Sequence, residues 1–442
     1  MAGDGRVEVA PATGPLRGRV CVPGDKSIAH RALIFAGLAE GRARLRGMPD
    51  GADLASTARC MRTLGLRLSR SGPDLVIHGA GGRLREPVAP LDCGNSGTTM
   101  RLLSGLLAGQ PRFAVLVGDA SLSRRPMRRV VDPLRAMGAS LDGRDAGARA
   151  PIALRGSSSL VGIRWENPSS SAQVRTALLL AGLQAGGTTD IRDPLASRDH
   201  GERLLRAMGA PIRQLQEPSG LSCQVQAAAL ELVDLDVPGD ISSAAFLLVA
   251  AALVPGSRLQ LSSVGLNPTR TGILEVLAAM GRPVTIQPLQ GQPLQGQPIE
   301  PLGELLAESG ALRGIEIGGA LVPRLIDELP ILAVAAAFAH GRTRIRDAAE
   351  LRVKESDRIA STAQALRAIG AQVEELPDGL EIEGSAGAPL EGGEVDASGD
   401  HRIAMAAAIA ALHTRRGVRI RGARSVATSY PSFFATVERL RA

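Results

Sequence analysis

Val22-Pro23-Gly24-Asp25 returns as Val237-Pro238-Gly239-Asp240, and each copy runs into a stretch of small apolar residues that closes at Gly41 or Gly256. Self-similarity over that distance points to two duplicated halves. A finer period lies in the segment endings Leu64-Gly65, Met137-Gly138-Ala139, Met208-Gly209-Ala210, Met280-Gly281 and Ile369-Gly370-Ala371, near-equal steps with a longer last one. Each unit reads as a turn and an Ala/Leu-rich buried helix, then alternating strands and an amphipathic helix whose closing Gly suits a left-handed cap. A sixth, incomplete unit begins near Asp400. The long step holds Gln287-Pro288-Leu289-Gln290-Gly291-Gln292 and a near copy, so residues 286–302 read as a Gln/Pro-rich insertion, an exposed and dispensable loop.

With 442 residues, 44% of them hydrophobic and 21% charged, the chain has the makings of two or three globular domains. Its first fourteen residues carry Asp4 and Glu8 and resemble neither a signal nor a transit peptide, and apolar runs such as 244–254 are short for a membrane span. Four cysteines without CxxC spacing fit a reducing cytoplasm. A net charge of +7 suits either a nucleic-acid binder or an enzyme of anionic small molecules. Six Phe, one Tyr and one Trp leave few platforms for stacking bases, which disfavours the former.

First helices are expected near Ser27, Gly97, Ser171, Ser242, Asp327 and Asp400, where Ser or Asp can accept from free backbone N–H groups. Capping alone accounts for Ser242, which has no basic neighbour; the other starts carry more than a cap requires. Of 51 basic residues only Lys26 and Lys354 are lysine. Amid so much arginine, a retained lysine marks a place for a compact ammonium that can give up its proton, with chance survival as the plain alternative.

Lys26 opens a helix with Ser27 and Arg31 on a common face, an arrangement that suits phosphate or carboxylate; a solvated basic helix start is the bland reading. Gly94-Asn95-Ser96-Gly97-Thr98-Thr99-Met100-Arg101 holds the equivalent place in the second unit, followed by Ser123-Arg124-Arg125-Pro126 at the expected start of its second helix. This is not the GxxxxGK[ST] nucleotide loop. In the third unit Ser169-Ser170-Ser171-Ala172-Gln173 and Ser197-Arg198-Asp199-His200 open two helices whose polar groups could orient a polyhydroxylated acid. In the fifth, Asp327 and Glu328 open one helix and residues 352–358 another, which would put Lys354 and Arg358 on a face with Glu355 beside them. Asp327 as a cap and Glu355 as an intrahelical partner of Arg358 stand against acid/base roles for both. In Asp400-His401-Arg402, His401 reads as structural and Arg402 as functional.

In order along nearly the whole chain, PGDKSIAHRA, GNSGTTMRLL, GDASLSRRPM, SSAQVRTALLLAGL, NPTRTG, IDELPILAVAAAFA, ELRVKESDR and GDHRIAMA together resemble the EPSP synthases, the 3-phosphoshikimate 1-carboxyvinyltransferase family. The resemblance implies an α/β (α+β) fold of two lobes, each of three βαβαββ-type units in pseudo-threefold arrangement, an inside-out α/β barrel. The chain would cross between lobes twice, near 20–25 and 235–240, giving a lobe of residues 23–238 and another of 1–22 plus 239–442, with the active site in the interlobe cleft.

The implied reaction moves the carboxyvinyl group of phosphoenolpyruvate to the 5-hydroxyl of shikimate 3-phosphate by addition and elimination, with no metal or organic cofactor. The same resemblance implies a cytoplasmic monomer without nucleic-acid or membrane partners. Lys26, Ser27, Arg31, Ser171, Ala172, Gln173, Arg198, Asp327 and Lys354 would bind shikimate 3-phosphate. Lys26, Asn95, Gly97, Thr98, Arg125, Gln173, Arg358 and Arg402 would bind phosphoenolpyruvate. Asp327 would be the base at the hydroxyl, Glu355 the proton donor and acceptor at C3, and Lys26 the charge stabiliser at the leaving phosphate. Thr428 departs from the family branch that has lysine there, whereas Arg198 and the Ser171-Ala172-Gln173 triplet match the other branch. Gly97 leaves room for the family inhibitor glyphosate. The related enzyme acting on UDP-N-acetylglucosamine is the near alternative, although Ser27 follows Lys26 here and Cys93 reads as a small buried hydrophobe. An arginine-rich RNA-binding protein is the alternative of another class.

Overall fold

The computed structural model describes residues 5–289, 293–294 and 297–441. The chain forms two compact units, one of Met1–Pro23, Pro238–Gln290 and Pro301–Ala442, the other of Gly24–Val237 and Gly291–Glu300. It therefore passes from unit to unit four times, where two crossings were expected, because the stretch ending at Glu300 belongs with residues 24–237. Each unit has its own apolar core.

The repeat is visible in the sheets. Thr188–Asp193 pairs parallel with Arg164–Glu166 and antiparallel with Gly220–Gln226, which forms a hairpin with Arg213–Glu217. Among the described residues the same four-strand order occurs five times. Leu235–Asp236 completes the first sheet beside Arg42–Arg46, and Arg17–Cys21 completes the fourth beside Arg258–Gly265. In the sixth, Val418–Arg421 pairs parallel with Gly393–Asp396 and antiparallel with Val7–Val9, so the N-terminal strand stands in for the missing hairpin.

Six apolar helices fill the cores: Lys26–Phe35, Gly97–Ala108 and Ala172–Gly182 in one unit, Ile241–Leu253, Leu329–Ala337 and His401–Ala411 in the other. Every residue of Ile241–Leu253 is buried, as an all-round apolar helix requires. Asp25, Ser96, Asp240 and Asp400 accept hydrogen bonds from their first turns. Ser242 is thus no cap. It lies inside its helix and pairs with charged groups, which a short hydroxyl facing a buried ion cluster does at little steric cost.

The expected insertion is only partly a loop. Thr285–Leu289 is a strand antiparallel to Leu302–Glu308, Ile299 packs on the core of the 24–237 unit, and Glu300 is buried. Residues 290–292 and 295–296 lie outside the described residues.

Candidate active site

Gly24 runs so close to the Gly47 carbonyl that a Cβ would sit 1.9 Å from its oxygen; only glycine lets the chain enter the Lys26–Phe35 helix at this place. Lys26 Nζ then donates to Asp53 Oδ2 at 2.9 Å. Asp53, in the first turn of Ala52–Thr63, escaped the sequence reading because an acid there is explained by the helix dipole alone. Arg31 turns inward. Its Nη1 donates to the Ser27 carbonyl at 3.1 Å, and its Nη2 to Thr176 Oγ1 at 2.9 Å and the Ala172 carbonyl at 3.4 Å, tying together two helix starts. Burial pulls its pKa down to about 10, against the attraction of Glu202.

The Gly97–Ala108 helix brings a second group together. Gln173 Nε2 donates to Thr98 Oγ1 at 2.9 Å, and Gln173 Oε1 accepts from Arg101 Nη1 at 2.6 Å. Arg125 donates to the Asn95 carbonyl at 3.1 Å and to Asn95 Oδ1 at 2.5 Å, while Asn95 Nδ2 donates to Asp119 Oδ2 at 2.7 Å. Arg125 follows the 3-10 turn Leu122–Arg124 and is not on the next helix, Arg128–Ala136. A buried relay of His30, Thr57, Thr99 and Ser96, with contacts of 2.6–2.7 Å, joins this group to the helix of Lys26. Burial, then Lys26 and Arg31, hold His30 well below its usual pKa, so the ring serves the relay uncharged.

In the other unit one guanidinium gathers three carboxylates. Arg358 donates from Nη1 to Asp327 Oδ1 at 3.0 Å, from Nη2 to Glu355 Oε2 at 2.6 Å and from Nε to Asp400 Oδ2 at 2.8 Å. Burial opposes the charge, but Asp400, Glu355 and Asp327 outweigh it and hold the Arg358 pKa above its ordinary value. Arg402 Nη1 donates to the Asp327 carbonyl at 2.8 Å. Arg270 donates to Ser242 Oγ at 2.5 Å and lies 3.9 Å from Asp327 Oδ2 and 3.7 Å from Glu328 Oε1.

Three local expectations change. Lys354 and Glu355 precede the helix Arg358–Ala368, which Asp357 caps, so Lys354 shares no helix face with Arg358 and Glu355 is not its intrahelical partner. Glu328, not Asp327, occupies the cap position of Leu329–Ala337, which frees Asp327 to meet Arg358. Thr428 closes the 3-10 turn Ala423–Thr428.

Ser171 precedes the Ala172–Gly182 helix, and Ser197 and Arg198 precede His200–Ala207. Two buried groups support the second of these starts. Arg175 donates to both the Ser197 and Arg198 carbonyls, and His200 Nδ1 bonds to Glu300 Oε1 at 2.7 Å. The Glu300 contact predicts that Glu300→Ala costs the 24–237 unit about 1–3 kcal/mol, the range for a buried polar partner left behind. Urea denaturation followed by hydrogen exchange in His200–Ala207 checks it; no loss would restore the dispensable loop. Among the described residues, no group of three His, Cys, Asp or Glu side chains is placed to hold a metal ion, and no helix is long and apolar enough to cross a membrane.

A family profile described as EPSP synthase (3-phosphoshikimate 1-carboxyvinyltransferase) matches residues 11–437. The 3-phosphoshikimate 1-carboxyvinyltransferase of Synechococcus sp. (strain JA-3-3Ab) is 53% identical over 435 residues, covering 98% of this chain and 96% of that protein. Its counterpart in Geobacillus kaustophilus (strain HTA426) is 48% identical, covering 96% and 98%. The crystal structure of EPSP synthase from Acinetobacter baumannii superposes with a TM-score of 0.85 at 39% identity, covering 98% of both chains. The enolpyruvyl transferase NikO from Streptomyces tendae, at 19% identity and a TM-score of 0.76, shares the fold.

Proposed function

The chain belongs to the EPSP synthase family, the 3-phosphoshikimate 1-carboxyvinyltransferases, and from that premise we propose how its residues divide the reaction. The enzyme transfers the carboxyvinyl group of phosphoenolpyruvate to the 5-hydroxyl of shikimate 3-phosphate, releasing phosphate, in the shikimate pathway to aromatic amino acids. In the addition, the hydroxyl oxygen bonds to C2 while its proton leaves and C3 gains one. In the elimination, the C2–O bond to phosphate breaks, phosphate departs with the electron pair, and loss of a C3 proton restores the double bond.

Asp327 takes the hydroxyl proton, Glu355 delivers and later removes the proton at C3, and Lys26 steadies the charge on the departing phosphate. The observation that carries this division is the Arg358 guanidinium, which holds Asp327 and Glu355 at 3.0 and 2.6 Å on adjacent nitrogens and so fixes two carboxylates for consecutive proton transfers. Ser27, Arg31, Ser171, Ala172, Gln173, Arg198 and Lys354 recognise shikimate 3-phosphate. Asn95, Gly97, Thr98, Arg125, Arg358 and Arg402 hold phosphoenolpyruvate. Both substrates are polyanions, so helix starts and guanidinium groups offset a repulsion that water alone screens poorly at short range. The enzyme works as a cytoplasmic monomer without a nucleic-acid partner.

The test is phosphate release from phosphoenolpyruvate with shikimate 3-phosphate and, separately, with UDP-N-acetylglucosamine. Release only with the former is expected; release only with the nucleotide sugar would replace this reading, and salt-dependent RNA binding without turnover would remove it. Glyphosate is expected to compete with phosphoenolpyruvate. At Gly97 an added Cβ would lie 2.8 Å from Arg101 Nη1 and 3.5 Å from Arg125 Nη1. Gly97→Ala therefore displaces the Arg101 end that Gln173 holds, and should raise the KM for phosphoenolpyruvate about tenfold or more, the cost of one charge-assisted hydrogen bond. Steady-state kinetics with and without glyphosate checks both the KM and the accompanying loss of inhibition.

A further inference from the structure

Arg175 has no part in the chemistry above, yet its guanidinium is bonded on every nitrogen. It sits in Ala172–Gly182, the helix that opens with the proposed substrate contacts, and is fully buried. Nε pairs with Glu202 Oε1 and Nη1 with Asp193 Oδ2. Nη1 also donates to Ser197 Oγ at 3.0 Å, and Nη2 to the Ser197 carbonyl at 3.3 Å and the Arg198 carbonyl at 2.5 Å. All three nitrogens are used, two of them on the turn that presents Arg198.

No side-chain cap hydrogen bond starts the helix that follows that turn. Asp199 occupies the cap position of His200–Ala207 but makes no cap hydrogen bond; both of its oxygens accept from Arg203 Nε at 2.9 Å. The preceding Pro194, Leu195 and Ala196 are exposed. Neutralising Asp193 and Glu202 requires only a positive charge, whereas donating to two successive carbonyls as well requires a planar fork. We propose that Arg175 is a positioning residue that sets Arg198 for the phosphate of shikimate 3-phosphate; the proposal rests on the reading of Arg198 as a contact for that substrate.

Arg175→Lys keeps the charge between Asp193 and Glu202 but cannot reach both carbonyls. It is expected to raise the KM for shikimate 3-phosphate about tenfold while kcat and the KM for phosphoenolpyruvate stay within about twofold. Arg198→Met should raise the same KM, and adding Arg175→Lys to it should change nothing further, the signature of two residues acting through one contact. Should Arg175→Lys fold poorly, Ser197→Ala removes one acceptor of the fork and should raise the same KM about threefold, by the loss of a single hydrogen bond. An unchanged KM in Arg175→Lys and Ser197→Ala, or effects of Arg175→Lys and Arg198→Met that multiply, would overturn the proposal while leaving Arg198 in place. An unchanged KM in Arg198→Met would remove the reading of Arg198 itself, and the proposal with it.

Discussion

Replacing Lys26 with methionine is expected to lower kcat for phosphate release by about 10²–10⁴-fold, the span for losing a positioned proton-transfer or charge-stabilising group. Lys26 is one of only two lysines and is held by a strong contact, Nζ to Asp53 Oδ2 at 2.9 Å. The methionine has similar length and apolar bulk but no charge. It leaves both the departing phosphate and Asp53 without their cation. Lys26→Arg should not restore the rate, because a bulky planar guanidinium cannot take the place of a compact ammonium between Asp53 and the departing phosphate. Asp53→Asn, which loosens the ammonium without removing it, should cost less than Lys26→Met. Rapid-quench measurement of phosphate release separates these outcomes from slow product departure. A Lys26→Met enzyme with near-normal kcat would place the phosphate chemistry elsewhere.

The largest expected effect on stability is at Arg358. Arg358→Met leaves Asp327, Glu355 and Asp400 without their shared cation, in a setting where the guanidinium is 1% and Asp400 0% exposed. Breaking a buried pair from one side costs about 3–5 kcal/mol. Hydrogen exchange along Leu329–Ala337 and His401–Ala411 would register this loss as local opening, and Arg358→Lys should recover part of it. Burial alone would raise the Asp400 pKa, but Arg358 overrides it and holds the group below its ordinary 3.8. A depressed folded value means that the carboxylate's stabilisation is complete above 3.8 and is lost as pH falls through the lower, folded value. Without Arg358 the burial effect loses its main opponent, so acid unfolding of the variant should begin at higher pH. An acid midpoint that does not move would mean that the cluster is not what holds these helices together.

The repeats were legible because they are local. A Gly after an amphipathic run, an Asp or Ser before an apolar one, and the alternation between them each specify a turn, a cap or a strand within a few residues. The same locality made Lys26, Gln173, Arg358 and Asp400 stand out, since each sits where a helix begins. Asp53, Arg101, Arg175, Arg270 and Glu202 did not stand out: on their own helices or turns they read as ordinary solvated charges. Their roles come from partners far away in the chain, Asp53 with Lys26, Arg101 with Gln173, Arg270 with Ser242. Ser242 was read as a cap, and a cap stood as the alternative for Asp327, because their partners Glu328 and Arg358 cannot be reached by counting along one helix. Glu300 lay in a repetitive stretch whose composition masked one buried carboxylate.

The placement of Ile299 and Glu300 with residues 24–237 has a bearing on how the molecule is made. During translation the first 237 residues leave the ribosome before the segment that lays Ile299 on their core and brings Glu300 to His200 has been made. The strand Val7–Val9 waits longer still, for its distant partner Val418–Arg421. Pairings of such long sequence separation are slow to form. A nascent chain therefore keeps some apolar surface open until these distant partners emerge, and products truncated before them should be poor folders and ready clients for chaperones.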